Sequence, residues 1–95
     1  MIIAVDFDGT LQKDGKANTA LFQRLIQAQR NGDIIILWSC RTGNSLMDAI
    51  RFSAEHGLRF NHVNENCPAV IQRFKTNPRK VYADLYIDDK AMIWT

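Results

Sequence analysis

Two short apolar runs, each ended by a polar turn and separated by a helical pattern, constrain this chain more than any other feature. Residues 2–6 (I-I-A-V-D) and 33–38 (D-I-I-I-L-W) are apolar almost throughout. A strand with one wet face would alternate, so these runs predict strands buried on both faces. Between them Asn18 or Thr19 can cap a helix with Leu21, Phe22, Leu25 and Ile26 on one face, and Asn31-Gly32 stops it. After the second run, Gly43-Asn44 leads into Ser45-x-x-Asp48, the pattern of a capping box. That helix runs through Met47, Ile50 and Ala54 to His56-Gly57. Phe60 to Val63 reads as a short third strand. Pro68 opens a third helix with Val70, Ile71 and Phe74, and Asn77-Pro78 ends it. Residues 81–87 (V-Y-A-D-L-Y-I) form the last strand, with Asp84 at an edge or surface. The turn-rich stretch 9–17 predicts a small flap or hairpin. Trp38 and Phe74 read as core.

The order β-α-β-α-β-α-β, with short connections, predicts an α/β fold. The expected architecture is a three-layer, Rossmann-like parallel sheet of about four or five strands with helices on both faces. A length of 95 residues leaves room for a single domain, 1–95. The net charge is 12 − 10 = +2, too slight for the basic groove that a polynucleotide wants, so nucleic acid is not expected as a partner. No apolar stretch approaches the ~20 residues that span a bilayer, so no membrane partner is expected. The start M-I-I-A-V-D has no basic segment and its apolar run stops at an acid, unlike a secretory signal. Cys40 and Cys67 lack zinc spacing, and a cytoplasmic setting with both as free thiols is the expectation.

In a parallel sheet the ligand lies outside the carboxyl ends of the strands. Those exits are Asp6-Phe7-Asp8-Gly9-Thr10, Trp38-Ser39-Cys40-Arg41 and Ile87-Asp88-Asp89. Strand alternation points Asp6 and Asp8 to the same side. With Asp88 and Asp89 they make four carboxylates on one rim, which repel unless a cation intervenes. Mg²⁺ is the hard, oxygen-seeking cation that usually accompanies phosphate. Gly9 can take positive φ and turn the chain sharply, and the Thr10 hydroxyl can brace that turn. Ser39, just before a helix N-terminus, suits a phosphate cradle, and Arg41 can reach a substrate anion. A cation is wanted near a transferred phosphoryl group; Lys80 leads Lys75, Arg79 and Lys90 for that place. His56 suits a helix terminus, and neither it nor His62 is assigned a catalytic role. No nucleophile elbow, Walker A sequence or G-x-G-x-x-G occurs.

D-F-D-G-T at 6–10 resembles the first signature of the haloacid dehalogenase superfamily. I-L-W-S-C-R at 36–41 looks like its second, Lys80 fits its third, and Y-I-D-D at 86–89 its fourth. The wording is similar to that of small, capless hydrolases of bacteria and their phages. The resemblance implies an Mg²⁺-dependent phosphatase acting on a small phosphorylated substrate, a nucleotide among the options. Asp6 would be the nucleophile and Asp8 the general acid/base, also lending its carbonyl to the metal. Ser39 would bind the phosphoryl oxygens with Arg41, Gly9 and Thr10 nearby, and Lys80 would stabilise their charge. Asp88 and Asp89 would hold the metal, Asp89 directly. No insertion between Thr10 and Ser39, or between Ser39 and Lys80, is long enough for a cap domain, so an open site is expected. Residues 11–17, 41–46 and 64–68 would shape it. The family usually adds another element where this chain stops, six residues past Asp89 (95 − 89). The sheet edge there would be bare, and bare edges pair, so a homo-oligomer is expected. The rival readings are a nucleotidase, a phosphatase of nucleic-acid ends, and a non-enzymatic phospho-acceptor or binding domain.

Overall fold

In chain order the elements are β1 (Ile2–Val5), β2 (Gln12–Lys13), β3 (Lys16–Ala17), α1 (Thr19–Arg30), β4 (Ile34–Leu37), α2 (Gly43–Glu55), β5 (His62–Val63) and β6 (Leu85–Ile87). The structure is a computed structural model and describes residues 1–65, 68, 71–72 and 81–89. Four strands form one parallel sheet in the order β5-β4-β1-β6. Ile2 to Val5 run in register with Ile34 to Leu37 on one side, and Ile3 to Val5 with Leu85 to Ile87 on the other.

Both faces of the sheet carry buried side chains, which is why the strands show no alternation. On one face Ile3, Val5, Ile35, Leu37 and Ile87 pack with Leu21, Phe22 and Leu25 of α1 and Ala49 of α2. On the other, Ala4 and Ile36 pack with Val81 and Ala83. Each fully buried large aliphatic or aromatic side chain stabilises the fold by about 1.5–3 kcal/mol. α1 and α2 share a face because β1, β4 and β5 step across the sheet in one direction, and right-handed crossovers then stay on one side. The chain returns from β5 to the far side of β1, and Pro68, Ile71 and Gln72 in that crossover are helical. The fold is thus α/β, a four-stranded parallel sheet flanked by helices, and compatible with a three-layer Rossmann-like arrangement.

The flap at 9–17 is a hairpin, β2 against β3, turned by Asp14 and Gly15 at φ 53° and 76°. Two positive φ values are what a two-residue hairpin turn needs. α1 is capped by Asn18, whose side chain accepts from Leu21 N–H. The last strand is shorter than expected, Leu85–Ile87. Ahead of it the Tyr86 hydroxyl donates to Val81 O and accepts from Ala83 N–H, so residues 81–83 are pinned by a side chain rather than a ladder.

Three expectations are corrected. There is no capping box at Ser45: the N-cap of α2 is Thr42, three residues earlier, Thr42 makes no side-chain cap bond, and Ser45 Oγ donates to Thr42 O. The core-facing side of α2 carries Leu46, Ala49 and Ile50 together with the buried Ser53, leaving Met47 exposed. Ser53 can be buried because its hydroxyl donates to Ala49 O. Trp38 is not core; it is 38% exposed and leans on the Tyr86 ring, centroids 5.5 Å apart. Phe74 lies outside the described residues.

Candidate active site

The exits of β1, β4 and β6 lie along one rim, and β1 is where the direction of strand stepping reverses. Such a switch point opens a crevice at the carboxyl ends of the strands. Asp6 stands there. Its N–H donates to Ile87 O at 2.9 Å, and its Oδ1 accepts from Phe7 N–H at 2.8 Å. Burial pushes its carboxyl above the usual carboxylate range. The Phe7 N–H works against that, and the charges of Asp8, Asp89 and Asp88 add to it. The other three predicted carboxylates therefore each act on Asp6 across the rim.

Asp8 is mostly exposed and held in a fork by Arg41. Nε donates to Oδ2 at 2.9 Å and Nη2 to Oδ1 at 2.7 Å, and the third arm, Nη1, donates to Ser45 O. The guanidinium also lies over the Phe7 ring, 4.8 Å from its centroid. The Arg41 hydrogen bond is what holds the Asp8 carboxyl below the usual range. Arg41, expected to reach a substrate anion, is here paired with the carboxylate of Asp8.

The turn after Asp8 winds around one carbonyl. Phe7 O accepts from the N–H groups of Thr10, Leu11 and Gln12. Gly9 has φ +76°, and a Cβ there would stand 3.4 Å from Asp89 Cβ, so the turn abuts the exit of β6. The Thr10 side chain points inward and is buried. Its hydroxyl has no hydrogen-bond partner among the described residues, so the main chain and not this hydroxyl braces the turn.

Ser39 leaves β4 with its Oγ accepting from Arg41 N–H at 3.1 Å. Its own N–H donates to Oδ1 of Asn64 at 2.7 Å. Asn64 is a residue that the pattern of acids and hydroxyls does not reveal. The available signal is an asparagine directly after a short strand, where positive φ is tolerated; here φ is 53°. Lys80 lies outside the described residues, as do Lys75, Arg79, Lys90 and Cys67. Cys40 is a free, exposed thiol. His56 caps the end of α2, stacked on Phe22, with no role at the rim.

Carboxylate oxygens under mutual repulsion suit a hard divalent cation in kind. Among the described residues no three His, Cys, Asp or Glu side chains stand close enough together to hold one as they are placed.

Fold and site together define a parallel α/β domain with an acidic rim at its topological switch point. A solved structure of a conserved protein of Bacteroides thetaiotaomicron is similar to it, with TM-score 0.81 and 37% identity over 97% of this chain and 78% of that one. The chain belongs to the same family as that conserved protein. No family model and no curated protein matches it.

Proposed function

We propose that this chain is a capless phosphatase of the haloacid dehalogenase type that hydrolyses small phosphomonoesters with Mg²⁺. The observation that carries the reading is Asp6: a partly buried carboxylate at the switch point, its charge opposed by Asp8, Asp88 and Asp89. A carboxylate so placed is poised to trade that repulsion for a bond to phosphorus.

In the first step an oxygen of Asp6 attacks phosphorus and the bond to the leaving oxygen breaks, with Asp8 giving that oxygen a proton. In the second, water attacks the same phosphorus, gives its proton to Asp8, and the bond to Asp6 breaks. The sum is phosphomonoester plus water to alcohol plus inorganic phosphate. Ser39 donates its hydroxyl to a phosphoryl oxygen. For Asp8 to act as an acid the fork with Arg41 must open, which frees Arg41 for the incoming anion. Asp6, Asp8 and Asp89 would hold Mg²⁺, with Asp88 orienting Asp89; the bound ion supplies compensation for carboxylate and phosphoryl charge. Lys80 remains the proposed second cation. The cytoplasm, which keeps Cys40 a thiol, is the proposed setting, and nucleotides belong among the substrates to try.

The experiment is a screen of the purified protein against diverse phosphomonoesters, an aryl phosphate included, with Mg²⁺ and with EDTA. Turnover is expected only with the metal, and Asp6→Asn should lower it by at least about a thousandfold while the fold is retained. Turnover indifferent to EDTA, or a fully active Asp6→Asn protein, would refute the scheme.

A further inference from the structure

We infer that Asn64 is a positioning residue for phosphoryl binding, holding the main chain of Ser39 so that its hydroxyl faces the substrate. The inference deepens the phosphatase reading and rests on it.

Among the described residues three Asx residues clamp an end of a neighbouring strand, each donating its own N–H to a strand carbonyl and accepting a main-chain N–H on its side-chain oxygen. Asp84 and Asn61 do both at one strand residue; Asn64 bridges the last strand residue and Ser39 beyond it. Asp84 does so at the start of β1, donating to Ile2 O at 2.8 Å and accepting Ile2 N–H at 2.7 Å. Asn61 does so at the start of β4, donating to Ile35 O and accepting Ile35 N–H, both at 2.8 Å. Gln29 of α1 steadies its side chain from behind. Those two clamps lie at the end of the sheet away from the rim. Asn64 is the third and clamps the opposite end of β4. It donates to Leu37 O at 2.8 Å and accepts Ser39 N–H at 2.7 Å.

The need for it follows from the length of β5. Its pairing with β4 ends at Val63 opposite Leu37, and the chain turns away at Asn64. Ser39 lies beyond the ladder, and its N–H would have no strand partner. The Asn64 carbonyl oxygen takes that place. Ser39 is then held on two sides: its N–H by Asn64, its Oγ by the N–H of Arg41. The hydroxyl hydrogen is left to donate. Since the Ser39 N–H is already given to Asn64, it is the hydroxyl and not the amide that meets the phosphoryl group. A misplacement of about 1 Å at such a group can cost a hundredfold in rate.

The test compares three variants in the presence of Mg²⁺. Asn64→Gly keeps the positive φ and removes the acceptor; Asn64→Asp keeps both. Asn61→Ala removes a clamp of the same kind from the far end of β4. The readouts are amide hydrogen exchange at Ser39, melting temperature, and kcat and KM for an aryl phosphate. Asn64→Gly should speed Ser39 exchange and lower kcat/KM, each about tenfold or more, with the larger share of the second in KM. Asn64→Asp should restore protection of the Ser39 amide and part of kcat/KM. Asn61→Ala should lower the melting temperature and leave KM unchanged. An Asn64→Gly protein with normal kcat and KM overturns the inference, as does an Asn61→Ala protein with the same kinetic loss. A wild-type protein with no turnover on any phosphomonoester refutes the phosphatase reading itself, and that result is seen before any variant is compared.

Discussion

Asp6 and Asp8 stand two positions apart, yet the fold treats their carboxyl groups in opposite ways. Burial, then the charges of its neighbours, makes Asp6 hold its proton more tightly than in the unfolded chain. Its ionisation therefore opposes folding: the stability it contributes is present in acid and is lost as pH rises through the folded-state value. Asp8, held by Arg41, contributes with the opposite sign, and that stability is lost as pH falls through its folded-state value. Comparing Asp6→Asn with wild type at each pH isolates the first effect. The amide still offers an oxygen to Phe7 N–H and carries no charge. In the metal-free protein Asp6→Asn should melt higher than wild type at neutral pH, with the gain shrinking as pH falls toward about 4. Thermal melts across that range check it, and a variant that melts lower at neutral pH would show that the carboxylate is stabilised at the rim. The Asp8–Arg41 fork itself adds little to stability, because Asp8 is exposed and such pairs are screened. Its consequence is for the chemistry, since it occupies both partners.

At the scale of elements, short pieces are held by specific polar contacts at their ends. α1 begins at Asn18, which does more than cap. Its Oδ1 accepts Leu21 N–H, its Nδ2 donates to Thr10 O, and its N–H donates to Leu11 O. One side chain thus joins the helix to the turn beside Asp8. Asn18→Ala should cost about 1–2 kcal/mol in denaturant unfolding, and Asn18→Ser, which restores the cap but reaches Thr10 less well, should fall between. Equal stability of Asn18→Ala and wild type would mean that α1 needs no cap once packed. The two-residue strand β5 relies on the same economy, with Asn61 and Asn64 extending its hold on β4 at both ends.

For the whole molecule the strand order matters most. β1 lies between β4 and β6, so residues from both ends of the chain, Asp6 and Asp88-Asp89, meet at one exit. Among the described residues no helix is long and apolar enough to cross a membrane. Among the same residues no strand pairs with the outer side of β6, and the proposed homo-oligomer would form there. Sedimentation over a range of concentrations should show mass rising with concentration, and a monomer throughout would dispose of that proposal.

Much of this was legible from residue order, for a physical reason. Strand runs, a hairpin somewhere in 9–17, a cap at Asn18 or Thr19 and the Asn31-Gly32 stop depend on neighbours within a turn or two, so their energetics are written locally. The placing of acids at strand exits is local too, once a parallel sheet is assumed. The pairings at the rim are not. Arg41 meets Asp8 from 33 positions away, and Asn64 meets Ser39 from 25. Hydropathy period carries no information about which strands become neighbours, so it could not show these contacts. Nor could it show that α2 turns Ser53 inward and Met47 out, since that depends on where Phe7, Phe22 and the sheet leave room. Which residues can be acidic, apolar or turning is decided along the chain; which of them touch is decided by the strand order, because only the assembled sheet brings distant exits to one rim.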